Sequence, residues 1–169
     1  MDDARRLCAS FLSKIHEQLD GSQHLISLLP ANCVDWAPGR LGNWTVGILL
    51  GHLLDCMAGF CAVLYGFEKQ RLAHFVNLQE LPVNHRCLPD EAASRIETYR
   101  RHIDEGFALL TDADLSRVVP TVFVKQGESL LTLLLGNLEH LINHKHQLFT
   151  CLKLLDVGVA TSDLYRFRE

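Results

Sequence analysis

Apolar side chains recur every three or four residues along four stretches of the sequence, and this spacing predicts four amphipathic helices. The predicted helices span Asp3–Leu29, Thr45–Tyr65, Pro89–Leu110 and Ser129–Leu155. Thr45 is a favourable N-cap residue for the second helix, and Pro30 ends the first. A series of long amphipathic helices is typical of an all-α protein, so we expect a four-helix bundle formed by one domain over residues 1–169.

The segments between the predicted helices carry weaker patterns. Residues 67–88 are expected to form a long surface connection with a short helical piece around Leu72–Leu78. The sequence VVPTVFV at residues 118–124 is β-like, but its proline argues against a central strand. The tail is expected to form one turn at Ser162–Arg166. In the third helix, the residues expected to face inward are Ala92, Ile96, Tyr99, Ile103, Phe107 and Leu110, and those expected in solvent are Arg95, Arg100, Arg101 and Glu105.

The last predicted helix carries the first candidate chemistry. His140 and His144 are four residues apart, so a helix places their side chains about 40° from each other on one face. His146 is rotated by about 200° from His144 and is expected to point away. The rest of the histidine face is a mostly apolar stripe, formed by Leu133, Asn137, Gln147, Leu148, Cys151 and Leu155.

The second predicted helix places one further histidine, His52, at the centre of an apolar face, and Asp55 and Cys56 follow it one turn later. Neutral imidazole is a common ligand of transition metals. An HxxxH pair with a third histidine from a facing helix would form a three-ligand site with open positions, as catalytic metal sites have. The spacing alone leaves two interpretations open, which are a metal site and a set of core histidines hydrogen-bonded to their neighbours.

The overall composition argues against several classes of protein. The net charge is −4 and no basic stripe is present, so we expect neither a nucleic-acid partner nor an anionic membrane surface. The longest apolar runs are interrupted by His, Asp or Asn, and the opening MDDARRLCAS lacks the apolar segment of a signal peptide. Six cysteines without framework spacing indicate reduced thiols in a cytoplasmic protein.

Two segments resemble the DinB-like/YfiT-like family. The sequence NWTVGILLGHLLD, Asn43–Asp55, is similar to the segment that supplies the family's first metal-binding histidine. The sequence HLINHKHQLFTCLKLLDVGVATSDLY, His140–Tyr165, resembles the C-terminal signature, in which HxxxH is followed by Gln-Leu and by a helix that ends at a glycine. The length and the order of four helices match over nearly the whole chain, although the middle segment carries no specific motif.

The resemblance implies a bundle that holds one divalent transition metal, such as Zn, Ni or Fe, on His52, His140 and His144. Gln147 matches the family's glutamine. Lys145 and His146 stand where Arg-Gly is usual, which affects local packing or the edge of the site and leaves the three ligands unaffected. Related members include S-transferases and isomerases that use low-molecular-weight thiols, and a homodimer is a reasonable assembly for the family.

We therefore expect a cytoplasmic metal-dependent enzyme that transfers a low-molecular-weight thiol to a small electrophilic substrate, or that hydrolyses such a substrate. The alternatives are a non-catalytic stress-response or binding bundle stabilised by a metal, and an interaction bundle without a metal. The candidates for the surroundings of the metal and for the pocket are Asp55, Cys56, Gln147 and Cys151, and Trp36 and Trp44 could form its rim. The remaining histidines, expected on the surface, are His16, His24, His74, His85 and His102.

Overall fold

A computed structural model describes residues 3–39, 44–121 and 125–165. Its long helices are α1 (Arg6–Ser27), α2 (Val46–Phe67), α3 (Pro89–Ala108) and α4 (Leu130–Leu154), and a single turn, α5 (Thr161–Leu164), follows. Short 3₁₀ segments lie at Asp3–Arg5, Ala73–Glu80 and Asp112–Ser116. The prediction of an all-α fold with four long helices is therefore confirmed, with helix ends shifted by up to three residues.

The order of the helices around the bundle is not their order in the chain. Both α1 and α2 pack against α3 and against α4. The first two helices therefore lie diagonally across the bundle, and one continuous core receives side chains from all four long helices. Asn137 on α4 packs on Gly59 of α2, while His140 packs on His52. Positions thus increase along α2 as they decrease along α4, so the two helices are antiparallel where they meet.

Side-chain oxygens cap the first turns of three long helices. Thr45 accepts a hydrogen bond from the backbone N–H of Ile48 at 3.3 Å, which confirms the predicted N-cap of α2. Ser129 accepts one from the N–H of Thr132 at 3.1 Å and caps α4 in the same way. The cap of α1 comes from far along the chain, because both carboxylate oxygens of Asp112 accept hydrogen bonds from the N–H groups of its first turn.

The connections follow the expected pattern with local differences. The 3₁₀ segment Ala73–Glu80 lies where the short helical piece was expected, but Phe75 within it is buried in the core. In the described part of the β-like stretch, residues 118–121, a two-residue strand β1 (Val118–Val119) pairs antiparallel with β2 (Glu128–Ser129). Residues 122–124 of that stretch, Asn43 and Arg166 lie outside the described residues.

The α2 helix is mostly buried. By length and composition it could cross a membrane, which the sequence pattern did not lead us to expect, but 67% of its most apolar 18-residue window is buried inside the protein. Its side chains instead fill the centre of the bundle, with Leu50, Leu54 and Phe60 fully buried. The apolar character of α2 is therefore explained by its central place among the other helices.

The predicted solvent face of α3 needs correction at Arg95 and Arg100, and α4 buries Lys145. The side chain of Arg100 is 17% exposed and donates to Asp20 of α1 at 2.6 Å. All six residues expected to face inward on α3 are buried, but Arg95, expected in solvent, is only 9% exposed. Its guanidinium donates to the carbonyl of Pro82 and to the hydroxyl of Tyr99. On α4 the most deeply buried face is rotated from the histidine stripe and consists of Leu134, Leu138, Leu141, Lys145, Leu148 and Leu152.

Lys145 is the residue of that buried face that sequence patterning did not identify. It is 2% exposed, and its ammonium group donates to the side-chain oxygen of Gln18 at 2.6 Å and to the carbonyl of Leu164 at 3.0 Å. Burial lowers the pKa of this lysine below its usual value. The two hydrogen bonds connect α4 to α1 and to the C-terminal turn.

Candidate metal centre

Three imidazoles meet where α2 and α4 cross. His52 lies on α2, and His140 and His144 lie one helical turn apart on α4. The Nε2 atoms of His52 and His140 are 3.3 Å apart, and one nitrogen from each of the three rings lies within 4.8 Å of the others. His144 is buried and the other two rings are half-buried. The structure therefore brings together the three histidines that the sequence singled out.

The spacing of these nitrogens suits a small divalent cation. Ligand atoms about 2.0–2.1 Å from a tetrahedral zinc ion are separated from each other by about 3.3 Å. The 3.3 Å between the Nε2 atoms of His52 and His140 equals that edge. The donor set thus fits a metal that imidazole nitrogen favours, such as zinc, nickel or iron.

The orientation of His52 is fixed by Asn84, a residue that the sequence analysis did not single out. The side-chain oxygen of Asn84 is hydrogen-bonded to Nδ1 of His52. Because an amide oxygen can only accept, Nδ1 must carry the proton and Nε2 keeps its lone pair for a ligand. Asn84 has a positive φ of 55°, a conformation that asparagine tolerates better than most residues.

Gly51 allows the loop that carries Asn84 to reach the helix. The backbone N–H of Asn84 donates to the carbonyl of Gly51 at 3.1 Å, and the N–H of Cys87 donates to the carbonyl of Gly47 at 3.0 Å. A Cβ atom on Gly51 would overlap the backbone of His85. The absence of a side chain at this position therefore lets the connection lie directly on α2, one residue before His52.

Gln147 fixes the orientation of His144 in the same way. Its side-chain oxygen accepts a hydrogen bond from Nδ1 of His144 at 2.9 Å, so Nε2 of that ring is the atom free to bind a ligand. Burial lowers the pKa of His140 and His144, and the neighbouring His52 lowers both further, while the bond to Gln147 partly offsets the effect at His144. Both rings are therefore neutral near pH 7, the form that binds metals.

Two wall residues of an apolar cavity of about 550 Å³ contact the histidine cluster. Trp44 contacts His52 edge-on, with ring centroids 5.4 Å apart, and Gln147 holds His144. The cavity is lined by Pro38, Trp44, Leu49, His146, Gln147, Thr150, Cys151 and Leu154. Its size is that of a small-molecule site. The expectation that Trp44 forms a pocket rim agrees with this place, whereas Trp36 is not among the described residues that line the cavity.

The other candidate residues lie at different distances from the cluster. Cys56 is buried and its thiol faces the carbonyl of His52 at 3.6 Å. Asp55 lines a separate cavity of about 260 Å³. Cys151 lies in the wall of the apolar cavity. His146 does not join the histidine cluster, since its Nδ1 is bonded to the carbonyl of Ile142 at 3.0 Å, but it lines the same cavity.

None of the six cysteines is placed as a reactive thiolate. All six are buried and free of disulfide bonds. Burial raises the pKa of Cys8, Cys56, Cys61 and Cys87 to about 12, and it also raises that of Cys33 and Cys151. At neutral pH these side chains are protonated, so they act as small apolar groups.

The five histidines expected on the surface are more engaged than the sequence indicated. Four of them form close pairs with carboxylates, which are His16–Asp104, His24–Asp163, His74–Glu105 and His85–Glu91. His102 lies 3.6 Å from Glu105. Among the described residues, two further groups bring three metal-ligating side chains together, namely His74, His102 and Glu105, and His85, Cys87 and Glu91.

The fold and the histidine cluster define a helical bundle with a candidate mononuclear metal centre between two antiparallel helices. A DinB-like protein of Bacillus subtilis, YjoA, has a similar structure, with a TM-score of 0.65 and 17% sequence identity over 87% of this chain and 92% of that one. The chain therefore has a DinB-like fold, as the resemblance of its two histidine segments implied. No protein-family model and no curated protein matches the sequence.

Proposed function

We propose that His52, His140 and His144 hold one divalent transition metal, zinc, nickel or iron, through their Nε2 atoms. The observation that carries this proposal is the 3.3 Å separation of two such nitrogens, with Asn84 and Gln147 bonded to the opposite nitrogens of two of the rings. Three protein ligands leave a position for a small molecule, as in catalytic metal sites.

We further propose that the protein is a cytoplasmic enzyme that transfers a low-molecular-weight thiol to a small electrophile. A bound divalent cation supplies Lewis acidity, which lowers the pKa of a coordinated thiol or water. The nucleophile is external to the chain because its own thiols are buried and have raised pKa values. Six reduced cysteines also suit a reducing compartment.

The residues around the cluster have distinct roles in this proposal. Asn84 and Gln147 keep two ring nitrogens aimed at the ligand position. Trp44 and Leu49 supply apolar wall that would bind the carbon skeleton of the substrate and exclude water from it. Hydrolysis of the same substrate by water is the second candidate reaction, because the same three ligands would activate either nucleophile.

The test compares the unmodified chain with His140→Ala, both purified without a histidine tag. We expect about one equivalent of transition metal in the first and none at the cluster in the second, measured by elemental analysis. Turnover of an epoxide or aryl halide with glutathione, bacillithiol or mycothiol should be more than about 100-fold slower in His140→Ala. Loss of an outer-shell partner alone lowers metal affinity or activity about 10–100-fold, and His140 is a proposed ligand. His16→Ala, which changes a histidine of a surface pair, should keep both metal and turnover.

The outcomes separate the enzyme from the alternatives. Turnover with water and not with thiols would favour hydrolysis. Stoichiometric metal with no turnover would favour a bundle that the metal only stabilises, and metal-free protein that binds no added zinc would overturn the metal centre. The homodimer implied by the family resemblance stays a prediction that light scattering on the purified protein can check.

A further inference from the structure

A second group of metal-ligating side chains lies away from the histidine cluster, between the 3₁₀ segment Ala73–Glu80 and α3. His74 belongs to the segment Ala73–Glu80, and His102 and Glu105 lie three residues apart on one face of α3. The Nε2 atom of His74 is 2.9 and 3.0 Å from the two carboxylate oxygens of Glu105. The Nδ1 atom of His102 is 3.6 Å from the nearer of them.

These separations match those of ligands on one small cation. A tetrahedral ion with ligands at about 2.0–2.1 Å separates those ligands from each other by about 3.3 Å. The distances of 2.9 Å from His74 to Glu105 and 3.6 Å from His102 to Glu105 lie on either side of that value. One ligand atom from each of the three side chains lies within 4.8 Å of the others. Two imidazoles and one carboxylate are a donor set that zinc uses in proteins.

An ordinary ion pair does not explain the whole arrangement. The pair His74–Glu105 would be complete without His102, yet His102 is directed at the same carboxylate. Its Nδ1 atom is buried and has no hydrogen-bond partner among the described residues, because its contact with Glu105 at 3.6 Å is too long for a hydrogen bond. A cation shared by the three side chains would satisfy that nitrogen. Phe75 contacts both rings edge-on, with centroids 5.0 Å from each, and holds them in place.

We propose that His74, His102 and Glu105 form a second binding site for a divalent transition cation of the zinc, nickel or copper class. The side chains are 44%, 24% and 45% exposed, so water completes the coordination and the ion exchanges with solvent. A bound ion would join the segment between α2 and α3, through His74, to α3, through His102 and Glu105. That segment also carries Asn84, so an ion at this site restrains the segment whose far end orients His52.

The third group, His85 with Cys87 and Glu91, is a weaker candidate for the same role. The guanidinium of Arg95 lies 3.6 Å from the carboxylate of Glu91, which places a positive charge beside any bound cation. Burial raises the pKa of Cys87 to about 12, so the thiol resists the deprotonation that metal binding requires. The group of His74, His102 and Glu105 has neither obstacle.

The test removes the two sites separately and counts bound zinc by calorimetric titration of the metal-free chain. The unmodified protein should bind two equivalents, and His140→Ala and His102→Ala one each. The double variant His140→Ala/His102→Ala should bind no zinc at either site, or bind it at the second site with an affinity lowered by more than about tenfold. The reason is that loss of a ligand costs at least as much affinity as loss of its outer-shell partner. His140→Ala with His16→Ala is the matched control and should keep one equivalent, because His16 faces a single carboxylate.

A second readout measures the proposed connection to α3. Zinc should slow proteolysis within residues 68–88 of the His140→Ala protein and leave the rate of the double variant unchanged. Calcium should give no protection, because it prefers oxygen ligands. One equivalent in the unmodified chain and none in His140→Ala would overturn this proposal and leave the first centre standing. One equivalent of zinc that depends on His102 and not on His140 would support this proposal and overturn the first centre.

Discussion

Single side chains decide how the imidazoles of the candidate centre present their lone pairs. A histidine ring can carry its proton on either nitrogen, and only a fixed partner selects one of them. Asn84 makes this selection for His52 and Gln147 makes it for His144. Because Asn84 has φ 55°, the position also requires a residue that tolerates the left-handed conformation.

Replacing Asn84 separates its amide from its backbone conformation. Asn84→Gly keeps the left-handed conformation and removes the oxygen that accepts from His52, so we expect zinc affinity to fall about 10–100-fold with little loss of stability. Asn84→Ala should lose the same affinity and an additional ~1 kcal/mol of folding free energy from backbone strain. Zinc titration and thermal unfolding of both variants check this. Unchanged affinity in Asn84→Gly would show that the amide does not orient the ring.

Lys145 is a second residue whose contacts decide local stability. The side chain in Lys145→Met is one atom shorter and unbranched like that of lysine, but it leaves the side-chain oxygen of Gln18 and the carbonyl of Leu164 without their buried donor. We expect a loss of about 1–3 kcal/mol, measured by urea unfolding, with faster proteolysis of the C-terminal turn. Lys153→Met changes an exposed lysine of the same helix and should stay within about 0.5 kcal/mol. A more stable Lys145→Met protein would mean that desolvation of the ammonium outweighs its hydrogen bonds.

At the scale of elements, helix ends depend on groups from distant parts of the chain. The first turn of α1 has no acidic residue of its own, and Asp112, more than 100 residues away, accepts from the N–H groups of Leu7 at 2.9 Å and Cys8 at 2.8 Å. These backbone hydrogen bonds lower the pKa of Asp112 below its usual value. The 3₁₀ segment that contains Asp112 is thereby attached to the start of α1.

The cap at Asp112 gives a defined dependence of stability on pH. The folded state lowers the pKa of this carboxyl, so the unfolded chain binds more protons at low pH. Its contribution is therefore complete above the unfolded value of about 3.9 and is lost as pH falls through the lower folded value. Asp112→Ala should lower Tm by about 2–4 °C at pH 7 and by less near pH 2.5, measured by circular dichroism. An equal loss at both pH values would contradict the capping role.

At the scale of the whole molecule, the candidate centre lies between α2 and α4, two helices that pack directly against each other. A cation held there would join the two helices only in the folded state. Its binding free energy would then add to the stability of the fold, because the three imidazoles are far apart in an unfolded chain. The stability of the bundle should therefore depend on the metal.

Zinc at about 100 times its dissociation constant should stabilise the protein by ~2.7 kcal/mol, or roughly 5–10 °C in Tm for a chain of this size. Chelation should reverse this shift. Scanning calorimetry should be carried out in the His102→Ala background, which lacks the second proposed site. There the effect should disappear when His140→Ala is added and persist when His16→Ala is added. If the Tm of the metal-free protein stays the same at all zinc concentrations, the cluster does not bind zinc in the folded state.

The sequence by itself determined the helices and the three central histidines. Helical periodicity shows which residues share a face, and HxxxH places two imidazoles together without reference to any other element. It also indicated Gln147, which lies one turn from His144 and bonds to it. Leu7 marks the limit of this reasoning, since it keeps the apolar spacing of α1 and is 51% exposed.

Only the tertiary structure decided which faces meet and which distant groups become partners. Asn84 reaches His52 across 32 positions, Lys145 reaches Gln18 across 127, and Asp112 caps a helix more than 100 residues before it. A periodic pattern contains no information on these distances, because each contact depends on how helices pack and where connections cross them. The buried lysine shows this most clearly, since a charged residue is expected in solvent until the fold supplies its partners.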